Sequence, residues 1–285
     1  PWRAGGADEH ARAAAAPHPG AEELEGGGGS PGVRTAWTRR ALPYGFEAWL
    51  ENAMDAAHLV VAHHGIAGDR YADPRPFEMR PASSSSASST STPTPLSAGL
   101  AYTVHPSAPQ DSVVYEFTPP CLVRIVITPE GGTGTGARFV LQLYIVPNER
   151  GRATSVGTTI VRTSAGGAKL SLGAVDGLAR YAVAGAPAWL LHIGGAAFLH
   201  QDLSLLLGQQ QAVDARARVA REGGETFAWA SECFMPTPTD RASADARAWI
   251  ERTGGIPFAG GAAAPPLSLA DRRAMFDVYD SHVKD

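Results

Sequence analysis

Apolar positions along this chain fall into two regimes. In the middle, the runs 113–117, 122–128, 137–146 and 156–162 are rich in β-branched and aromatic residues and are bounded by Pro and Gly, which predicts four strands. The glycine-rich run 131–136 between two of them predicts a loose hairpin. Beyond the strands the pattern becomes helical. It predicts helices over about 203–221 and about 240–252, the second with Thr239 or Asp240 as N-cap and Gly254 or Gly255 as terminator. Ahead of the strands, residues 37–64 read as a turn followed by a helix. Strands first and helices after them indicate an α+β fold with an antiparallel sheet.

Three stretches depart from this pattern. Residues 1–34 are rich in Ala, Gly and Pro, with glycines running from Gly26 through Gly29, and read as a low-complexity linker. The domain would then cover 35–285, with an exposed low-complexity insertion at about 81–97, where four serines from Ser83 precede Thr92, Pro93, Thr94 and Pro95. Residues 181–199 contain no Asp, Glu, Lys or Arg and come close to the length of a membrane span. Gly185, Pro187, Gly194, Gly195 and several alanines lower their hydropathy, so they are expected to form a buried or substrate-lining segment.

Composition narrows the class. A chain of 285 residues that is 44% hydrophobic can bury a full core. A net charge of −4 and the lack of a basic cluster give no reason to expect nucleic acid. Two cysteines, Cys121 and Cys233, far apart in sequence, imply no disulfide framework. No H-E-x-x-H pattern occurs, and the one G-x-S-x-G match, Gly28 to Gly32, falls in the low-complexity stretch, which argues against a hydrolase.

The densest chemistry lies between Glu51 and Gly65. Asp55 is followed three residues later by His58, and His63 comes five residues after that, with His64 adjoining it. Two imidazoles and one carboxylate from elsewhere make the facial triad that suits non-haem Fe(II) and leaves positions open for O2. Positions five apart sit about 140° round an ideal helix from each other. A regular helix therefore cannot aim His58 and His63 at one ion. It must end or distort between them, and Gly65 and Gly68 are placed to allow that.

The pattern D-x-x-H-x-x-x-x-H resembles the mononuclear-iron signature of Rieske-type oxygenases. The wider block, with Leu42, Pro43, Tyr44, then Leu50, Glu51, Asn52, Asp55, Ala57 and His58, then Ala62, His63, His64 and Gly65, resembles the pheophorbide a oxygenase-like branch. Ala56 stands where that branch usually has Pro, which alters backbone stiffness and removes no ligand. Residues 139–147 and the stretch from Phe234 to Asp240, Arg247 and Trp249 resemble later blocks of the same branch. The resemblance covers roughly residues 37–285.

The resemblance implies a curved antiparallel sheet gripping a long helix, with Fe(II) held by His58, His63 and a distal carboxylate. Asp202, in His200-Gln201-Asp202-Leu203, is the best candidate, with Gln209 and Gln210 following as the branch pattern has them. The competing reading makes Asp202 the N-cap of the helix after it. Asp55 is expected to bridge electron flow between subunits and to hold the other ring nitrogen of His58. Glu51 and Asn52 either orient the site or are solvated helix residues. Family spacing selects His63 over His64.

A Rieske [2Fe–2S] cluster needs two Cys and two His, and neither Cys121 nor Cys233 lies in a C-x-H or C-x-x-H pattern. The cluster is therefore expected in a missing domain or a separate subunit. The end of the chain, from Phe276 to Asp285, resembles a family segment cut just before its cysteines. The implied activity is monooxygenation of a chlorophyll-type macrocycle such as pheophorbide a or chlorophyllide, with O2, ferredoxin as donor and a homotrimer as the assembly. The implied place is the chloroplast, at the thylakoid or envelope membrane. The alternatives are a non-catalytic pigment- or lipid-binding module and an envelope accessory protein with the same fold.

Overall fold

A computed structural model describes residues 32–34, 37–66, 69–71, 77–82, 99–105, 111–129, 138–162, 187–255 and 258. Their strands are β1 (Gly32–Arg34), β2 (Thr38–Leu42), β3 (Glu78–Pro81), β4 (Leu100–His105), β5 (Asp111–Thr118), β6 (Leu122–Pro129), β7 (Arg138–Glu149) and β8 (Arg152–Arg162). Their helices are α1 (Phe46–Ala53), α2 (His58–Ala62), α3 (Ala188–Glu222), α4 (Trp229–Glu232) and α5 (Arg241–Arg252).

Alternation builds the sheet. Along β6, Val123, Ile125 and Ile127 are buried while Arg124, Val126 and Thr128 are less so, the period of two expected of a strand with one face on a core. Register carries this face across the sheet. Phe117 faces Val123, Tyr115 faces Ile125, and Ile125 in turn faces Leu141. Every pairing is antiparallel, in the order β1-β8-β7-β6-β5-β4-β3, with β2 also on β8.

The four expected strands are present and run longer than their apolar runs. A register shift between Pro147 and Glu149 lets β7 keep pairing past its proline, and Gly151, at φ +72°, turns the chain into β8. The first four strands were not anticipated. Thr-Arg-Arg-Ala-Leu in β2 and Glu-Met-Arg-Pro in β3 are too polar to read as strands. Their ladders with β8 and β4 decide their conformation. Gly32–Arg34, assigned to the linker, pairs with β8, and Pro81, assigned to the insertion, pairs with Tyr102. Residues 1–31 and 83–97, the hairpin at 131–136 and the terminal segment lie outside the described residues.

Helices cover the buried face. Phe46, Trp49, Leu50 and Ala53 of α1 are buried, as are Ala242, Ala246, Trp249 and Ile250 of α5 at the spacing of one helical stripe. Trp249 meets Phe117 edge-on at 4.8 Å between centroids. The helix α5 starts as expected, but its capping box sits on Thr237, whose hydroxyl and amide both bond Asp240. Gly255 closes its far end by donating to the Ile250 carbonyl at 2.9 Å.

The long helix differs from expectation at its start. It begins at Ala188, after Pro187, and runs for 35 residues, about 52 Å. Gly194 and Gly195 do not break it. Asp202 therefore lies well inside α3 and cannot be its N-cap. No helix among the described residues is long and apolar enough to cross a membrane.

Candidate metal centre

Two helical segments bring the site together. The helix α1 stops at Ala53, and a turn over residues 54–57 starts α2 at His58. The helix α2 lasts only to Ala62, so the chain does leave the helix between the two histidines. His63 caps it at φ −93° and ψ 35°, and Gly65 follows at φ +82°. The helix α3 runs antiparallel to α1. Gln210 Oε1 accepts from the Gly45 amide at 3.1 Å, Gln209 donates to Glu51 Oε1 at 3.0 Å, and Asp202 Oδ2 accepts from Asn52 at 3.3 Å.

This packing places His58, His63 and Asp202 in one cluster. One ligand atom from each lies within 4.8 Å of the others, slightly wider than the about 3–4 Å expected around one bound ion. His63 and Asp202 are fully buried and His58 is half-buried. His63 Nε2 sits 3.4 Å from Asp202 Oδ2. His63 Nε2 and Asp202 Oδ1 are buried without a hydrogen-bond partner. Orphaned buried acceptors are costly, and here they converge. A cation between them would satisfy both, so the donor set of two imidazoles and a carboxylate fits a divalent metal such as Fe(II).

Burial sets the protonation states. It pushes the Asp202 carboxyl up to about 7, with Asp55 adding to the rise and the Asn52 hydrogen bond opposing it. It pulls His63 down to about 4, with His58 adding to the fall and Gln201 and the Phe198 backbone opposing it. His58 is also lowered by burial. At neutral pH without metal, both imidazoles are neutral and Asp202 keeps its proton to a far higher pH than an ordinary carboxyl. The 3.4 Å contact is not an ion pair.

The other expected site residues occupy distinct places. Asn52 holds Asp202, as an orienting residue would. Glu51 is neither solvated nor, among the described contacts, bonded to the three cluster residues. It pairs with buried Arg247 at 3.2 Å, and Arg247 lies 4.7 Å from the Trp229 ring centroid. Asp55 corrects the expectation about its carboxylate. Its main-chain carbonyl, 2.5 Å away, accepts from His58 Nδ1, while its carboxylate accepts from the Ala57 amide at 2.7 Å. An Asp side chain readily bonds its own nearby backbone, and the turn into α2 leaves that amide free to donate. The carbonyl then fixes the His58 tautomer, leaving Nε2 as its lone-pair donor. His64 turns outward, its Nδ1 accepting from the Arg70 amide at 3.1 Å.

Two contributors were not anticipated. Phe198 stacks on His63 at 3.5 Å between centroids. Gln201 bonds both His63 and the His64 carbonyl. Phe198 and Asp202 are four apart on α3 and share a face, a signal visible only once the helix is known to start before them. Cavities of about 370 and 310 Å³ are lined by other residues, the first including Glu47, Arg150 and Arg221, the second Trp229, Cys233 and Phe234.

Comparison with known proteins gives the setting. The pheophorbide a oxygenase family model matches residues 117–219. Flavonoid 8-hydroxylase 2, chloroplastic, of Ocimum basilicum is 27% identical over 261 residues, covering 90% of this chain and 45% of that protein. Pheophorbide a oxygenase, chloroplastic, of Arabidopsis thaliana is 22% identical over 264 residues, covering 89% and 44%. The chain thus spans less than half the length of these relatives. Among solved structures, the NdmA QL mutant of Pseudomonas putida CBB5 with theobromine is similar at 14% identity and a TM-score of 0.47, covering 77% of this chain and 49% of that one. Dicamba monooxygenase bound to dicamba is similar at 14% and 0.47, covering 78% and 58%. The family match runs from β5 into α3, and the similarity to the two chloroplastic relatives extends over most of the chain, so both support a pheophorbide a oxygenase-like region here.

Proposed function

We propose that the chain is the mononuclear-iron part of a monooxygenase, with Fe(II) held by His58, His63 and Asp202. The observation that carries this is the convergence of three ligand groups whose buried atoms His63 Nε2 and Asp202 Oδ1 have no other partner. Iron bound there supplies reductive activation of O2. The rest is done by the chain. Asp202 holds its proton until a cation displaces it. Asn52 keeps Oδ2 in place. The Asp55 carbonyl presents His58 through Nε2, and the Phe198 ring shields one face of His63 from water.

The substrate we propose is a flat, conjugated molecule, a chlorophyll-type macrocycle such as pheophorbide a or chlorophyllide. Similarity to a flavonoid hydroxylase over most of the chain supports a second reading, a flavonoid-sized aromatic. Electrons would be drawn from ferredoxin through a Rieske centre in another domain or subunit, since Cys121 and Cys233 lie in no cluster-binding pattern. Asp55, in the turn beside His58, is proposed to bridge to that centre, in a homotrimer. The names of both relatives support a chloroplast setting, and the place proposed within it is the thylakoid or envelope membrane.

The test is iron-loaded protein with a Rieske protein, reductase, ferredoxin and labelled O2, offered pheophorbide a, chlorophyllide and a flavone in parallel. Label in a product of one substrate is expected. Failure to bind about one Fe(II) per chain would overturn the site, and label in the flavone alone would overturn the macrocycle.

A further inference from the structure

Two adjacent histidines follow α2, and only one faces the cluster. His63 is fully buried and His64 turns outward to Arg70. One side chain touches both. Gln201 Nε2 donates to the His64 carbonyl at 3.1 Å, and Gln201 Oε1 lies 3.3 Å from His63 Nδ1. The His64 carbonyl can only accept, so the amide must present its NH2 there. That leaves the Gln201 carbonyl oxygen facing His63 Nδ1. An oxygen without hydrogen can only accept, so Nδ1 must carry the proton. The lone pair of His63 is then on Nε2, the buried atom with no other partner, 3.4 Å from Asp202.

We infer that Gln201 is a positioning residue that selects His63 over His64 and, together with the Phe198 backbone that also bonds the His63 ring, holds its Nδ1–H tautomer, so that Nε2 is the metal donor. It rests on the proposed metal reading of the cluster. The physical link is short. Gln201 adjoins Asp202 on α3, so one turn of that helix supplies a ligand and orients another that caps α2. Clamping the His64 carbonyl also fixes the backbone just after the two histidines, at the turn into Gly65. A histidine ligand held through its second nitrogen keeps its ring orientation and gains basicity.

The experiment compares wild type, Gln201→Leu and Gln201→Glu. Leucine, one atom shorter but of comparable bulk, removes both bonds, and glutamate keeps the acceptor for His63 while losing the donor to His64. Nitrogen-15 imidazole spectra of the metal-free protein read the tautomer, and Co(II) titration followed by d–d absorption reads ligand number and affinity. Wild type should show His63 protonated at Nδ1. Gln201→Leu should lose about 10–100-fold in Co(II) affinity, and Gln201→Glu should recover most of that loss at pH 8. A loss caused only by looser packing of α3 would not be rescued by glutamate. An Nε2–H tautomer in wild type, an unchanged affinity in Gln201→Leu, or a loss without rescue overturns the inference. Should Gln201→Leu not fold, the wild-type tautomer and the affinity of Gln201→Glu decide alone. Wild type that binds no Co(II) overturns the proposed function instead.

Discussion

Asp202 shows how one residue's environment sets a measurable property. Its carboxyl is raised to about 7 by burial, from an ordinary value of 3.8. A raised carboxyl means the folded, metal-free chain binds more protons than the unfolded one. That contribution to stability is complete below about 4 and is lost as the pH rises through about 7. A divalent ion has the opposite trend, because it must displace the proton. Stabilisation of the fold by Co(II), read as a shift in the urea midpoint, should therefore be larger at pH 8 than at pH 6. Apparent metal affinity should fall about tenfold per pH unit below 7. Equal shifts at both pH values would show that Asp202 is not a ligand. Asp55 gives a second case. Since its carbonyl, not its carboxylate, holds His58, Asp55→Asn should leave iron content within about tenfold of wild type. It should abolish turnover coupled to a Rieske partner, and wild-type coupled turnover would remove the bridging role.

At the scale of elements, the site depends on α1 being clasped between α3 and α5. The clasp with α5 is the pair between partly buried Glu51 and buried Arg247, beside the hydrogen bond from Ser243 to the Glu51 carbonyl at 3.1 Å. Arg247→Ala would strand Glu51 with only Gln209 and remove the contact with Trp229. A loss of about 3–5 kcal/mol in urea unfolding is expected. Trp249→Ala, which empties the space beside Phe117, should cost about 3–5 kcal/mol through its cavity. A loss under about 1 kcal/mol in either variant would mean that α5 is not a structural partner of the sheet and α1. The element pattern was partly legible beforehand. The strands β5 to β8 showed in the sequence as runs rich in β-branched and aromatic residues bounded by Pro and Gly. The strands β2 and β3 did not, since a sheet edge can recruit polar residues through backbone pairing alone. The early start of α3 was hidden by Gly194 and Gly195, each an unfavourable helix residue in isolation.

For the whole molecule the decisive quantity is an electron count. On the proposed reading, a monooxygenation would consume two electrons from outside, of which a single bound Fe(II) would supply one. With no cluster pattern around Cys121 or Cys233, the purified chain is expected to bind iron yet sustain no turnover with reductase and ferredoxin alone. Adding a protein that carries a Rieske centre should establish turnover, read as steady-state product formation. Sustained turnover without one would point to an oxygenase that draws its electrons from a co-substrate.

Residue spacing by itself determined the helix break between His58 and His63, because 3.6 residues per turn cannot point positions five apart at one ion. Together with the resemblance, it nominated Asp202 from 139 positions further on. The tertiary structure alone decided what surrounds these groups. Gly45, Glu51 and Asn52 meet α3 only because α1 runs antiparallel to it. The outward turn of His64, the paired burial of Glu51 and the two bonds of Gln201 are contacts between segments more than a hundred residues apart or between side chain and backbone. No periodicity encodes such contacts, since they arise from which faces are brought together when the sheet buries its apolar side.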